Sequence, residues 1–274
     1  MSFFSDILNF EFLQNAVIAI LFMSVTCSVI GAYIVVKRVV FLSGGLTHAS
    51  FGGIGIAYYM GVNPLYGAMI FSIASALGFD VLTKKGDMRE DSAIGVLWAL
   101  GMAIGILFIF LTPGYAPNLM SFLFGNVLTI TTDLLALNGV LAAFILVLFI
   151  FAEKSVMFIA FDSSFAETRG VSVKFIERIM LVLIAVTIVL ILKLVGIMLL
   201  VSLLTIPSMI SSIVTTTFRQ MVWSNVIITF ISGLIGVWLS VEVDIPTGAS
   251  IIIVLSALYI IVKIAHLLKT ISKN

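Results

Sequence analysis

One imidazole lies in the middle of an apolar, glycine-rich stretch. Residues 41–61, FLSGGLTHASFGGIGIAYYMG, hold six glycines and one of the two histidines of the chain, His48. Neutral imidazole is the side chain that most often binds metal ions. With only the Ser43 and Thr47 hydroxyls beside it, however, His48 would make a weak metal site. Ionisable groups at membrane depth are functional candidates. His48 is therefore either a polar lining residue of a permeation path or a structural hydrogen-bond donor between helices.

Sequence signatures of catalysis are absent. The chain has no G-x-x-x-x-G-K-[ST] phosphate loop, no H-E-x-x-H pair and no G-x-S-x-G nucleophile elbow. Its single cysteine, Cys27, lies in an apolar run and cannot form an intrachain disulfide. We therefore expect no enzyme here, and any ATP that powers this protein would be hydrolysed by another chain.

The composition indicates a chain that crosses a membrane several times. Hydrophobic residues make up 62% of the 274 and charged residues 10%, and the net charge of +1 does not favour nucleic-acid binding. About 20 mainly apolar residues cross the hydrocarbon core as a helix. Runs of this kind lie at 13–36, 41–60, 64–82, 92–111, 132–151, 175–192, 195–215, 223–240 and 248–265. We predict an all-α polytopic membrane protein with eight or nine transmembrane helices, in which 119–131 is too short to span.

Small residues follow the second helix at a spacing that favours close packing. Residues four apart share a helix face. Two such rows are present: Gly44, His48 and Gly52, and then Gly45, Ala49, Gly53 and Ala57. Small residues let helices approach closely in a membrane, and Gly101 and Gly105 give the fourth helix a weaker face of this kind. Pro207, inside the seventh run, predicts a kink that is either a hinge or purely structural.

The cations occupy alternate connections, which sets the orientation. Lys and Arg cluster at 37–38, 84–89, 154–178, 219 and 263–273, so we predict that these connections face the cytoplasm. The longest, residues 152–179, contains FDSSFAETRGV. Asp162 and Ser163 could cap a short helix there that stops at Gly170. That helix is either part of a solvated connector or a docking surface for a partner.

Six segments together resemble the integral-membrane subunit of the ABC transporters that take up zinc, manganese or iron in bacteria and archaea. They are VVKRVVFLSGGLTHASFGGIGIAYYMG (35–61), DSAIGVLWALGMAIGILFI (91–109), SFLFGNVLTIT (121–131), FDSSFAETRGV (161–171), KLVGIMLLVSLLTIPSMIS (193–211) and VEVDIPTGASIIIV (241–254). The resemblance implies one transmembrane permease domain over 1–274 in the cell membrane, working as a homodimer or as a pair of related subunits. It also implies two cytoplasmic ATP-binding subunits that hold the ATP, an extracytoplasmic metal-binding protein, a transported divalent metal ion and no cofactor on this chain.

The resemblance assigns roles to single residues as well. FDSSFAETRGV corresponds to the cytoplasmic coupling helix that docks in the ATPase, within the coupling segment 152–179. The residues on that pattern are Asp162, Phe165, Ala166 and Gly170, with Glu167 and Arg169 as its charged face. The second helix corresponds to a motif that usually reads Gly-Asp-Ala-Leu-Ser-His-Ala, whose Asp and His can face one ion. This chain has the histidine as His48 but carries Gly44 at the aspartate position, so the anionic half of the pair is missing.

Four carboxylates are further candidates for a metal path. Asp80 and Asp133 lie near helix ends, where we favour the interpretation that each is a charge in the headgroup layer. Asp244 lies on the family's extracytoplasmic Asp-x-Pro-x-Gly turn, and with Glu242 it would attract cations or contact the binding protein. We expect an importer permease for divalent transition-metal ions. The alternatives are a permease for metal chelates such as siderophores, and a stand-alone secondary transporter or channel.

Overall fold

The described residues form helices joined by short connections. The computed structural model describes residues 7–113 and 127–272. The helices are α1 (Glu11–Val36), α2 (Val40–Tyr59), α3 (Pro64–Lys84), α4 (Glu90–Leu111), α5 (Thr132–Phe161), α6 (Ser163–Thr168), α7 (Val173–Val214), α8 (Phe218–Val243) and α9 (Thr247–Ile271). Eight of these described helices are long and apolar enough to cross a membrane. The predicted all-α membrane fold is confirmed. The predicted short segment 119–131 lies largely outside the described residues, which include only its end with one 3-10 turn, Val127–Thr129.

Helix α7 consists of two crossing segments joined at Gly196. Its 42 residues would measure about 63 Å if straight, twice the hydrocarbon thickness of about 30 Å. Gly196 has φ 77° and ψ 174°, a combination essentially restricted to glycine. Both segments end on the same side, because Glu177 lies 2.8 Å from Lys37, and Ser212 and Thr215 line a cavity together with Lys37. When α7 is counted as two segments, the eight helices of the described residues that are long and apolar enough to cross a membrane give nine segments, in agreement with the separate runs 175–192 and 195–215.

Helix α5 is longer than its apolar run predicts. It begins at the expected residue but continues from 151 to Phe161, into the segment expected to be hydrophilic. Val156 and Ile159 are almost fully buried there. Their spacing of three residues keeps the buried face of the helix continuous past the charged residues Glu153 and Lys154. The connection between α5 and α7 is therefore short and consists mainly of α6.

Helices α2, α3 and α4 pack backbone to backbone through glycines. A Cβ added to Gly53 would collide with the carbonyl of Gly67 in α3. On the other side, a Cβ at Gly101 would come within 2.5 Å of the Ala49 Cα, and a Cβ at Gly105 would meet the α2 backbone. Close approach of this kind is what stabilises helix pairs in a membrane. We call these three helices the α2–α4 unit; among the described residues it contacts the rest of the chain mainly through α7.

Helices α1 and α7 form the centre of the remaining bundle. They are the most buried of its candidate spans, and α5, α8 and α9 surround them. Pro207 leaves α7 helical up to Val214. Beside it, the amide of Asn225 is oriented with its nitrogen toward the Pro207 carbonyl (2.9 Å) and its oxygen toward the Ser208 hydroxyl (2.8 Å). This buried polar contact joins α7 to α8 one turn after the Leu203 carbonyl, which is the group whose helical hydrogen bond the proline removes. A hinge role for Pro207 stays a prediction.

Candidate functional site

The α2–α4 unit carries His48 against Trp98 of α4. The imidazole and indole centroids lie 4.2 Å apart with 5° between the ring planes, and the ring of Phe51 lies 6.4 Å away on α2. His48 is half-buried, and its Nδ1 atom is buried with no hydrogen-bond partner among the described residues. Within the described part of the chain, the imidazole is therefore held by ring stacking and not by an interhelical hydrogen bond.

The face formed by His48 and Trp98 is open at the adjacent turn of both helices. Gly44 lies one turn before His48, and Gly95 lies one turn before Trp98. A Cβ at either glycine would meet no atom within 4 Å. Gly44 thus differs from Gly45, Gly52 and the other glycines of the row, whose neighbours are in close contact. The position where the resembling motif has an aspartate has room for one.

The hydroxyls predicted to accompany His48 point to backbone groups of their own helix. Ser43 and Thr47 are both fully buried. The Ser43 hydroxyl donates to the Val40 carbonyl at 2.7 Å, and the Thr47 hydroxyl donates to the Ser43 carbonyl at 2.6 Å. These bonds satisfy the hydroxyl protons inside α2, so a metal-lining role for either residue stays a prediction.

Three of the predicted carboxylates lie at the opposite end of the molecule from Lys37. Asp133 is in the first turn of α5, and Glu242 is near the end of α8; both are exposed. Asp244 is exposed as well and has a left-handed backbone conformation, φ 56°, at the end of α8. The turn that follows is held by the Ser240 hydroxyl, which donates to the Ile245 carbonyl at 2.6 Å. Their roles in attracting ions or a partner remain predictions.

Asp80 belongs to a network of charged side chains at the end that the sequence assigns to the cytoplasm. Lys84 Nζ lies 2.6 Å from Asp80 Oδ1 and 2.7 Å from Glu177 Oε2. Lys37 Nζ lies 2.8 Å from Glu177 Oε1, and Arg178 Nε donates to Asp80 Oδ2 at 3.1 Å. We call these five residues the Glu177 network. Both carboxylates are almost fully buried and paired with cations, an arrangement that the sequence patterns did not indicate.

The predicted docking segment folds as the short helix α6. Asp162 caps it as predicted, since its Oδ1 accepts hydrogen bonds from the backbone N–H groups of Ser164 (2.9 Å) and Phe165 (3.0 Å). Gly170 follows with φ 76°, and the Val171 N–H returns to the Ala166 carbonyl at 3.1 Å. This is the pattern by which a left-handed glycine ends a helix.

One side of α6 is anchored and the other is exposed. Ala166 is fully buried, whereas Phe165 is half-exposed and packs its ring edge-on against Phe158 of α5. Glu167 and Arg169 are exposed. The segment therefore presents an apolar ring and a charged surface beyond the end of the bundle, and its docking to an ATPase remains a prediction.

No cluster of three or more His, Cys, Asp or Glu side chains that could hold a metal ion is present in residues 7–113 and 127–272.

A sequence model of the ABC 3 transport family matches residues 9–266. The chain belongs to the ABC 3 transport family. The family resemblance predicted from the six segments is confirmed.

Curated relatives share sequence over most of this ABC 3 chain. An uncharacterised membrane protein of Synechocystis sp. is 41% identical, covering 93% of this chain and 90% of that protein. A protein of Haemophilus influenzae named as a probable iron transport system membrane protein is 34% identical, with 93% of each chain covered. MntC of Halalkalibacterium halodurans, named as a manganese transport system membrane protein, is 31% identical over 94% of this chain and 88% of its own.

A solved structure shares the fold. PsaBC from Streptococcus pneumoniae, in complex with Fab, superposes with a TM-score of 0.83 at 22% identity and covers 95% of this chain and 94% of that chain. At this identity the likeness concerns the fold. Together with the eight apolar helices, it confirms the all-helical multi-pass membrane fold.

Proposed function

We propose that this chain is the membrane permease of an ATP-driven ABC importer for divalent transition-metal ions. The observation that carries the proposal is the family match over residues 9–266, and relatives named for iron and manganese transport support it. The sequence has no phosphate loop. ATP is accordingly bound and hydrolysed by separate cytoplasmic subunits, and the permease itself carries out no hydrolysis and holds no cofactor.

In the proposed transport cycle, each end of the molecule binds a different partner. A metal-loaded binding protein docks at the outer end, where Asp133, Glu242 and Asp244 are exposed. ATP binding closes the cytoplasmic subunits, and α6 receives their movement through its exposed charged residues. Two copies of the permease face each other, and the ion crosses between them along the face that carries His48 and Trp98.

The chemistry of His48 fits a transient contact with the ion. A transport site must bind its ion strongly enough to admit it and weakly enough to release it. His48 offers a neutral nitrogen ligand, and with Gly44 in place of an aspartate there is no carboxylate one turn away. A single imidazole without that negative charge binds a divalent ion weakly, which favours passage over retention.

Reconstitution tests the proposal directly. The chain is placed in lipid vesicles with its ATPase subunit and metal-loaded binding protein, with ATP supplied on the cytoplasmic face, and uptake of Mn²⁺, Fe²⁺ and Zn²⁺ is measured. We expect uptake that requires both ATP and the binding protein. Rapid uptake by the chain alone would instead identify a secondary transporter or channel, and uptake restricted to a siderophore complex would identify a chelate permease.

The choice of metal ion is testable in the same vesicles. The affinity order of divalent metals for nitrogen and oxygen ligands is generic, so a path with one imidazole discriminates poorly among them. We expect the preferred ion to change when the binding protein is replaced by one with another metal preference. A preference that stayed with the permease would place selection in this chain.

A further inference from the structure

The Glu177 network joins parts of the chain that are far apart in sequence. Glu177 in α7 binds Lys37 at the end of α1 through one oxygen and Lys84 in α3 through the other. Lys37 Nζ also donates to the Ser163 hydroxyl of α6 at 2.7 Å and to the Ile159 carbonyl of α5 at 3.2 Å. One buried carboxylate thus lies between α6 and the α2–α4 unit.

Burial distinguishes the two carboxylates of this network from the other charges at the same end, whereas its cations remain partly exposed. The side chain of Glu177 is 11% exposed and that of Asp80 is 5% exposed. The ion pair between Arg89 and Asp91, in contrast, has side chains that are 83% and 64% exposed. Exposed pairs contribute little, whereas removing one partner of a buried pair leaves the other charge uncompensated. The position of α3 relative to α7 therefore depends on the two buried carboxylates, Glu177 with Lys84 and Asp80 with Arg178, more than on exposed charges.

The connectivity of the chain gives the network a mechanical role. Helix α6 directly follows α5 and precedes α7 in the sequence, whereas the α2–α4 unit that carries His48 is not adjacent to α6 in the sequence. The described contacts of that unit with the rest of the chain run mainly along α7. At the cytoplasmic end, Lys37 donates to both Ser163 and Glu177, and Lys84 donates to Glu177, so these bonds form a direct route from α6 to α3.

We infer that the Glu177 network transmits movement of α6 to the α2–α4 unit, so that Lys37 and Glu177 are positioning residues for transport. The inference rests on the proposed function, because it concerns how ATP hydrolysis on the partner subunits changes the face that carries His48. When α6 moves, Ser163 moves with it and displaces Lys37. Glu177, which binds both Lys37 and Lys84, transmits this displacement to α3. The glycine packing of the α2–α4 unit then makes its three helices move together.

The test is the amount of metal taken up per ATP hydrolysed by the reconstituted importer. Glu177→Gln keeps the shape of the side chain and removes the charge that holds both lysines. Lys37→Met removes the cation that donates to both Ser163 of α6 and Glu177, and leaves only the 3.1 Å bond from the Ser163 hydroxyl to Glu177. We expect each to lower uptake per ATP by about tenfold while ATP hydrolysis by the assembled complex continues, because coupling energies commonly lie in this range. Lys37→Arg restores a cation and should recover most of the loss, and the double variant should be no worse than either single one.

Matched variants separate transmission from folding. Arg89→Gln removes an exposed cation at the same end and should leave uptake per ATP unchanged. Ser163→Ala removes only the hydroxyl between Lys37 and Glu177, so it assembles even if Glu177→Gln does not, and it should lower uptake per ATP severalfold. Uptake and hydrolysis that fall in proportion in these variants, or an unchanged ratio in Ser163→Ala, would overturn the inference. A wild-type complex that takes up no metal would instead refute the proposed function.

Discussion

The imidazole of His48 and the indole of Trp98 lie in parallel planes 4.2 Å apart, which joins α2 to α4 at the half-buried face of the α2–α4 unit. Stacking of this kind positions an imidazole without occupying its nitrogens. His48 consequently has a ring fixed by stacking, and its buried Nδ1 has no hydrogen-bond partner among the described residues.

His48→Phe should distinguish the contribution of the imidazole nitrogens to metal uptake from the contribution of the ring stack to stability. Phenylalanine preserves the stack on Trp98, so we expect the thermal midpoint of the purified complex to remain unchanged. Metal uptake should fall by about tenfold, which corresponds to the loss of one polar interaction of about 1.4 kcal/mol. Trp98→Phe is the control, because it keeps an aromatic face and should change uptake little. Unchanged uptake in His48→Phe would show that the ion does not contact this residue.

Gly44→Asp should restore the anionic partner of His48. The aspartate side chain enters open space, since a Cβ at Gly44 meets no atom within 4 Å. An added carboxylate one turn from the imidazole strengthens metal binding, so we expect a lower KM for uptake together with a lower kcat, because release becomes slower. Gly44→Asn, of equal size and without charge, is the control. Equal kinetics in the two variants would mean that the charge does not reach the ion.

Alanine at two glycines of α2 should affect stability to different extents. Gly53→Ala places a methyl group against the Gly67 backbone and should cost about 1–3 kcal/mol, the range for overpacking a tight interface. Gly44→Ala meets no neighbour and should be close to neutral. Thermal unfolding in detergent, followed by the loss of monodisperse protein, measures both. A larger loss at Gly44 than at Gly53 would contradict the described packing of α2 on α3.

Asp162→Ala should destabilise helix α6 by removing its N-terminal cap, and should thereby weaken docking of the ATPase subunit. The aspartate accepts two backbone hydrogen bonds at the start of α6, and replacing such a cap with alanine costs about 1 kcal/mol. For a helix of six residues this is enough to populate the unfolded segment, so we expect weaker association of the ATPase subunit and normal membrane insertion. Asp162→Asn retains the cap and should bind the ATPase as the wild type does. Equal binding by all three proteins would remove Asp162 from the docking role.

The crossing helices were predictable because the membrane imposes their length. A helix that spans lipid needs a long apolar run, and every predicted run from 13–36 to 248–265 corresponds to a described helix or to one segment of α7. The capping of α6 was predictable for a similar reason, since Asp162 and Gly170 act on neighbouring backbone groups. Such features depend on residues close together in sequence.

The contacts that define the candidate site depend on residues far apart, and the sequence carries no local signal for them. Lys37 and Glu177 are separated by 140 positions, so each alone resembles an ordinary charge at a helix end. The stack of His48 on Trp98 likewise requires the orientation of α2 against α4, which hydropathy does not determine. Only the rows of small residues on α2 and α4 indicated that these two helices approach closely.

The reversal at Gly196 has a consequence for biosynthesis. The two segments of α7 meet with almost no polar chain between them, and Lys193 is the one cation near the bend. Very little hydrophilic backbone has to be moved to the far side of the bilayer when this part of the protein is made. We expect the two segments to enter the membrane together as a helical hairpin, and a side chain larger than glycine at position 196 would strain the bend on which that hairpin depends.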